Sequence, residues 1–161
     1  MPQGPIRPTN AIVVDGNPIR SEYEAGANCT LAKMLPGIFV LYDTTDYAVK
    51  EAGAEEDLVL GQLDVLPNKE IDEVPAFKGD PVIVLRGEYD GQVILLSGSA
   101  AVVPGDALCG AADGKCIKLA VGAIGAQGPT LGYALESRNP SGSDLWCKAH
   151  IHIQKEAALA S

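Results

Sequence analysis

Few residues in this sequence could act on a substrate or hold a metal: two histidines in His150-Ile151-His152, four cysteines at 29, 109, 116 and 147, and short runs of carboxylates. Strand side chains alternate between faces, so His150 and His152 share a face and Cys147 points to the other. The pair thus lacks a third ligand, and the cysteines form no C-x-x-C. A triad needs its histidine beside a nucleophile and an orienting group, and both histidines here sit on one strand. The carboxylates (Asp43 with Asp46, Glu55 to Asp57, Asp72 with Glu73) fall in turn-rich segments and read as solvated loops, and no D-x-D-x-D-G loop accompanies them. Gly122, Gly125 and Gly128 lie in VGAIGAQGPTLG, without the G-K-[ST] or the following helix that holds a phosphate. No catalytic residue, metal ligand or cofactor is expected, and the chain reads as a non-enzyme.

Two of the thiols lie in VVPGDALCGAADGKC, a Pro-Gly turn followed by a hairpin closed near Asp113-Gly114. With a four-residue loop, Ala111 to Gly114, Cys109 and Cys116 face each other directly. With a two-residue turn at Asp113-Gly114 they sit diagonally. Only the first brings their β-carbons near the ~3.8 Å of a disulfide. The favoured state is reduced thiols packed as small apolar groups, with a Cys109–Cys116 bridge as the alternative after release from the cell.

Composition sets the outer limits. At 161 residues, 47% hydrophobic and 20% charged, the chain can bury a core without metal or disulfide staples. Arg7, Arg20 and Lys33 balance Asp15, Glu22 and Glu24 in residues 1–34, so the net charge of −9 belongs to the remainder. A body this acidic repels phosphate backbones and anionic lipid, so neither nucleic acid nor membrane is expected as a partner. MPQGPIRPTN has no apolar stretch of a signal peptide, which implies synthesis in the cytoplasm.

The positioning elements are strands. Helical periodicity is almost absent; the best window, YAVKEAGAEEDLVL, is broken by Gly53 and supports one or two turns at most. Apolar runs bounded by Gly, Pro, Asn and Asp predict ten strands: 11–14, 37–42, 47–50, 59–65, 81–85, 92–96, 107–110, 116–120, 130–137 and 145–153. Such spacing predicts an all-β fold, a small barrel or sandwich. Residues 1–24, with three prolines in the first eight, read as an extended N-terminal arm, and 25–161 as a single β-rich domain.

The body echoes itself. Leu35-Pro36-Gly37 matches Val103-Pro104-Gly105, Leu60-Gly61-Gln62 matches Leu131-Gly132-Tyr133, and Lys78-Gly79-Asp80-Pro81-Val82 loosely matches Ser141-Gly142-Ser143-Asp144-Leu145, at offsets of 68, 71 and 63 residues. Pro-Gly suits the centre of a type II turn, and Gly61 and Gly132 mark bulges or close backbone approaches. Two similar half-barrels closing on one core is the simplest architecture.

Read in order, KMLPGIFVLYD, VLGQLDV, KGDPVIVLRGE, VVPGDALCGAADGKCIKL and TLGYALES resemble the turn-and-strand motifs of the decoration, or cement, proteins that coat tailed-virus capsids. The resemblance spans roughly Lys33 to Ile153. It implies a structural subunit on the outer surface of an HK97-type shell, self-associated as a homotrimer, with the major capsid protein as partner and the virion as location. The N-terminal arm would lie across capsomer edges, burying Ile6, Ile12, Val13 and Ile19 and offering Arg7 and Arg20 to carboxylates. The family supplies no catalytic residues. The rival reading is a β-sandwich carbohydrate- or protein-binding module on a virion or cell surface, with Trp146 or the five tyrosines as its platform.

Overall fold

A computed structural model describes residues 11–53, 59–67, 73–119 and 130–153. Eleven strands run through them: β1 Val13–Asp15, β2 Ile19–Ala25, β3 Phe39–Tyr42, β4 Ala48–Glu51, β5 Gly61–Leu63, β6 Pro81–Arg86, β7 Glu88–Leu95, β8 Ala107–Gly110, β9 Cys116–Lys118, β10 Thr130–Ala134 and β11 Leu145–His152. Among the described residues, helical structure is limited to single 3-10 turns at Leu31–Lys33 and Ala112–Gly114. The all-β expectation holds.

The internal echo is a duplicated barrel. Strands β2-β4-β3-β5-β6 close into one barrel. Strands β7-β11-β10-β8-β9 close into a second, through a parallel contact of β7 with β9, and β1 is added beside β7. Going round each ring, β2 corresponds to β7, β3 to β8, β4 to β9, β5 to β10 and β6 to β11. Hydrogen bonds repeat as well. Gly37 N donates to Leu63 O and Leu63 N to Ile38 O; Gly105 N donates to Ala134 O and Ala134 N to Asp106 O. Each copy therefore closes its own barrel, where two half-barrels around one core were expected, because every copy carries all five strands once β2 is counted.

Local chemistry explains the shared geometry. In both Pro-Gly turns the fourth residue donates back to the first, Ile38 to Leu35 and Asp106 to Val103, with Gly37 at φ 98° and Gly105 at φ 93°. That is the type II turn the sequence predicts, with the left-handed residue where only glycine is unstrained. A β-carbon on Gly61 would collide with the carbonyl of Leu85, and one on Gly132 with the carbonyl of His150. Both glycines let the neighbouring strand approach at equivalent places. β6 begins at Pro81 and β11 at Leu145, one residue beyond the motif alignment, which paired Pro81 with Asp144.

The two barrels interlock. Phe39, Val59 and Leu85 of the first pack in a cluster with Tyr89, Leu95, Leu108, Leu131 and Ile151 of the second, while Ile94 of β7 joins Met34, Ile38, Val40 and Leu63 of the first. Between them lies fully buried Gln62. Its Nε2 donates to Gly37 O at 2.9 Å and to Gln92 O at 2.6 Å, and its Oε1 accepts from the Tyr89 hydroxyl at 2.8 Å. Burial drives the Tyr89 phenol pKa far above its usual range, so it remains a donor.

The arm is shorter than residues 1–24. Ile12 is 0% exposed in the second barrel's core, β1 pairs with β7, and β2 is an integral strand of the first barrel. Residues 11–24 thus belong to the body. The alternation Ile19, Ser21, Tyr23, Ala25 against Arg20, Glu22, Glu24 is the period-two signal for β2. Ile6 and Arg7 lie outside the described residues, as do Glu55 to Asp57, Asp72, the glycines at 122, 125 and 128, and residues 154–161.

Candidate functional site

The most distinctive surface is an open strand edge in the first barrel. Glu24 N donates to Tyr47 O at 2.9 Å and Gly26 N to Val49 O at 2.8 Å, so the even-numbered residues of β2 turn their backbone groups toward β4. β4 reaches only as far as Glu24, so among the described residues Arg20 and Glu22, paired with β6 on one side, have no strand on the other. The second barrel fills the same place. Leu96 N donates to Cys116 O as Gly26 N does to Val49 O, and four residues earlier Gln92 N donates to Ile12 O at 2.9 Å. Glu22 is the counterpart of Gln92, without an equivalent of Ile12 among the described residues.

Beside this edge is a cleft of about 480 Å³ lined by Tyr23, Tyr42, Asp43, Thr44, Thr45, Asp46 and Tyr47. A second, of about 460 Å³, shares Tyr23 and Tyr47 and adds Glu22, Glu24, Gly79 and Pro81. Both volumes suit ligand-binding clefts. Tyr23 and Tyr42 meet edge to face, centroids 6.2 Å apart at 64°. Burial and a hydrogen bond with the Tyr42 hydroxyl raise the Tyr23 phenol above its ordinary pKa. Tyr42 is 59% and Tyr47 75% exposed, so two of the chain's large apolar surfaces face solvent at one spot. Tyr47 also holds φ at 59°, a left-handed conformation that costs a tyrosine of order 1–3 kcal/mol.

The connection that presents Tyr47 is clamped. Asp43 accepts from Asn28 N at 2.8 Å, from Asn28 Nδ2 at 2.7 Å and from Thr44 N at 2.7 Å. Desolvation alone would raise the Asp43 pKa, but these hydrogen bonds outweigh it and hold the carboxyl below its ordinary value. A preorganised aromatic surface loses little entropy when something docks. Among the described residues no lysine or arginine lines either cleft, whereas Glu22, Glu24, Asp43 and Asp46 do.

The residues singled out in the sequence are dispersed. Ile12 is buried, Val13 half-buried on β1, and Ile19 57% exposed at the start of β2, bordering a groove with Leu60, Arg86, Glu88, His152 and Ile153. Arg20 Nε stands 3.5 Å from Asp64. All four cysteines are free and buried. The hairpin register pairs Cys109 with Ile117 and Gly110 with Cys116, so the two thiols do not face each other directly, as the alternative of a Cys109–Cys116 bridge requires. The loop has an odd length, because Asp113 and Gly114 both take left-handed conformations and Ala111 pairs with Lys115; neither of the two loops considered has that register. Burial first, then the nearby Cys109 and Cys147, push the Cys116 thiol well above its ordinary pKa.

His150 and His152 do share a face, opposite buried Cys147. His150 Nδ1 lies 2.7 Å from Asp90 and Nε2 3.0 Å from Glu88, and its ring stacks on Tyr133 at 5.0 Å. Among the described residues no cluster of His, Cys, Asp and Glu is arranged to hold a metal ion. Trp146 packs between the two barrels against Gly37. The sequence offered all five tyrosines together as a platform without singling out Tyr23, Tyr42 and Tyr47, which come from β2, β3 and the β3–β4 connection; their signal is that three of five tyrosines fall within twenty-five residues.

No protein-family model matches the chain, and no curated protein does. Among solved structures it is similar to the N base of head fiber gp8.5 in bacteriophage phi29, at 16% identity and a TM-score of 0.48, covering 83% of this chain and 95% of that one. Among the described residues, no helix is long and apolar enough to cross a membrane.

Proposed function

We propose that this chain is a structural protein of a tailed-virus head, a decoration protein that binds the outer surface of an assembled HK97-type shell as a homotrimer and stabilises it. The observation that carries this reading is the placement of the motif series. The segments that resemble decoration proteins are the strands and turns of two successive copies of one barrel: KMLPGIFVLYD supplies β3, VLGQLDV β5, KGDPVIVLRGE β6, VVPGDALCGAADGKCIKL the β8–β9 hairpin and TLGYALES β10. A ligand that binds the assembled shell, and not its free subunits, stabilises the shell by mass action, and a rigid double barrel suits that task. Its partner is the major capsid protein. Exposed Ile19 and Val14 are the surface proposed to meet it.

The test is co-sedimentation of purified protein with heads lacking it, from the virus whose genome encodes it. Saturable binding together with a raised disruption temperature of the heads is expected. Absence of binding at micromolar protein would overturn the proposal.

A further inference from the structure

The tyrosine cleft and the open edge of β2 form one surface, and the second barrel indicates what fits it. There, the corresponding edge is covered by Ile12 to Asp15, a segment from the N-terminal region of this same chain. We infer that the cleft on the first barrel receives the N-terminal segment, residues 1–10, of a neighbouring copy.

The chemistry is complementary. MPQGPIRPTN holds two overlapping P-x-x-P units, Pro2 to Pro5 and Pro5 to Pro8, with Arg7 inside the second. Such a segment favours the extended polyproline conformation, which docks in aromatic-lined grooves at low entropic cost. The ring faces of Tyr23, Tyr42 and Tyr47 match pyrrolidine rings. Glu22, Glu24 and Asp46 form the acidic lining that Arg7 would meet, and the N–H of Glu22, beside no strand on that side among the described residues, can donate to an arm carbonyl as that of Gln92 does to Ile12. At ~3.1 Å per residue, ten residues reach about 30 Å, enough to cross between packed subunits. Within one chain, Ala11 is tied to the second barrel, its carbonyl accepting from Gln92 Nε2 at 3.2 Å, while the cleft belongs to the first, and the arm is assigned to another molecule. Passed head to tail, such arms close a ring, consistent with a trimer. This inference rests on the self-association in the proposed function and not on head binding.

The experiment uses the full chain, with mass read by light scattering over a concentration series. Tyr42→Ala with Tyr47→Ala changes two exposed rings, and Pro5→Ala with Arg7→Ala changes the arm; melting curves report whether either alters folding. Each pair should weaken self-association at least about tenfold, the cost of losing an interface anchor worth ~1.4 kcal/mol. Synthetic MPQGPIRPTN should dissociate the parent oligomer and bind the Pro5→Ala, Arg7→Ala chain but not a chain that also carries the tyrosine substitutions. Joining Glu22→Arg to Arg7→Glu should restore part of the affinity lost with Arg7→Glu alone. Self-association unchanged by the tyrosine pair, peptide binding indifferent to it, or a monomer whose cleft is filled by its own arm would each overturn the inference. A trimer unchanged by either pair that still coats heads would refute the inference while leaving the proposed function standing, whereas a monomer would overturn both the inference and the homotrimer.

Discussion

Replacing Gln62 by leucine should loosen the joint between the two barrels more than any single surface change. The substitution keeps roughly the same volume but removes the donor to Gly37 O and Gln92 O and the acceptor for the Tyr89 hydroxyl. Each net hydrogen bond contributes about 1 kcal/mol, and a buried group left unpaired costs as much again or more. The loss should be about 3 kcal/mol, or roughly 6–12 °C in melting temperature for a chain of this size. Urea titrations followed by Trp146 fluorescence suit the question, because that ring packs against Gly37 at the same joint. Tyr89→Phe removes one of the three bonds, so adding it to Gln62→Leu should cost less than its effect alone, with a coupling of about 1 kcal/mol. A Gln62→Leu loss below about 1 kcal/mol, or strict additivity with Tyr89→Phe, would refute the claim that this glutamine holds the barrels together.

Deleting residues 1–10 should preserve the β-sheet circular dichroism spectrum, whereas deleting 1–20 should abolish cooperative melting, since it removes fully buried Ile12, strand β1 and the start of β2. Gly61→Ala and Gly132→Ala should each destabilise by more than about 2 kcal/mol, because the added methyl meets a backbone carbonyl; Gly142→Ala, with open space around it, should stay within about 0.5 kcal/mol in the same chemical melts. The hydrogen bond to Asp90, aided by Glu88, raises the His150 pKa above its ordinary 6.5. Its stabilisation is therefore complete below pH 6.5 and is lost as the pH rises through the higher folded-state value. His150→Gln should abolish that part of the melting-temperature slope, and a slope unchanged by the substitution would assign it to other groups.

How much was legible follows from the range of each signal. Strand β8 falls at its expected residues, and Gly37, Gly105, Gly61 and Gly132 have the roles that local backbone sterics assign, because a turn or a collision depends on near neighbours. β2 was hidden in the proposed arm: the three prolines of residues 1–8 outweighed the alternation of IRSEYEA, although proline ahead of a strand does not prevent it. The register of Cys109 and Cys116 turned on one residue of loop length: Asp113-Gly114 marks the two left-handed residues, but nothing local says that Ala112 joins them in the loop. The tyrosine cleft depends on barrel closure, which brings Tyr23 from β2 against Tyr42 from β3; no local pattern encodes that meeting.

The most direct measurement of the central claim is a cryo-electron microscopy map of the purified virus whose genome encodes this chain. Expected is density for paired five-stranded barrels on the outside of the head, gathered in threes at three-fold positions. Particles that lack the protein, or that carry it only in their interior, would contradict it.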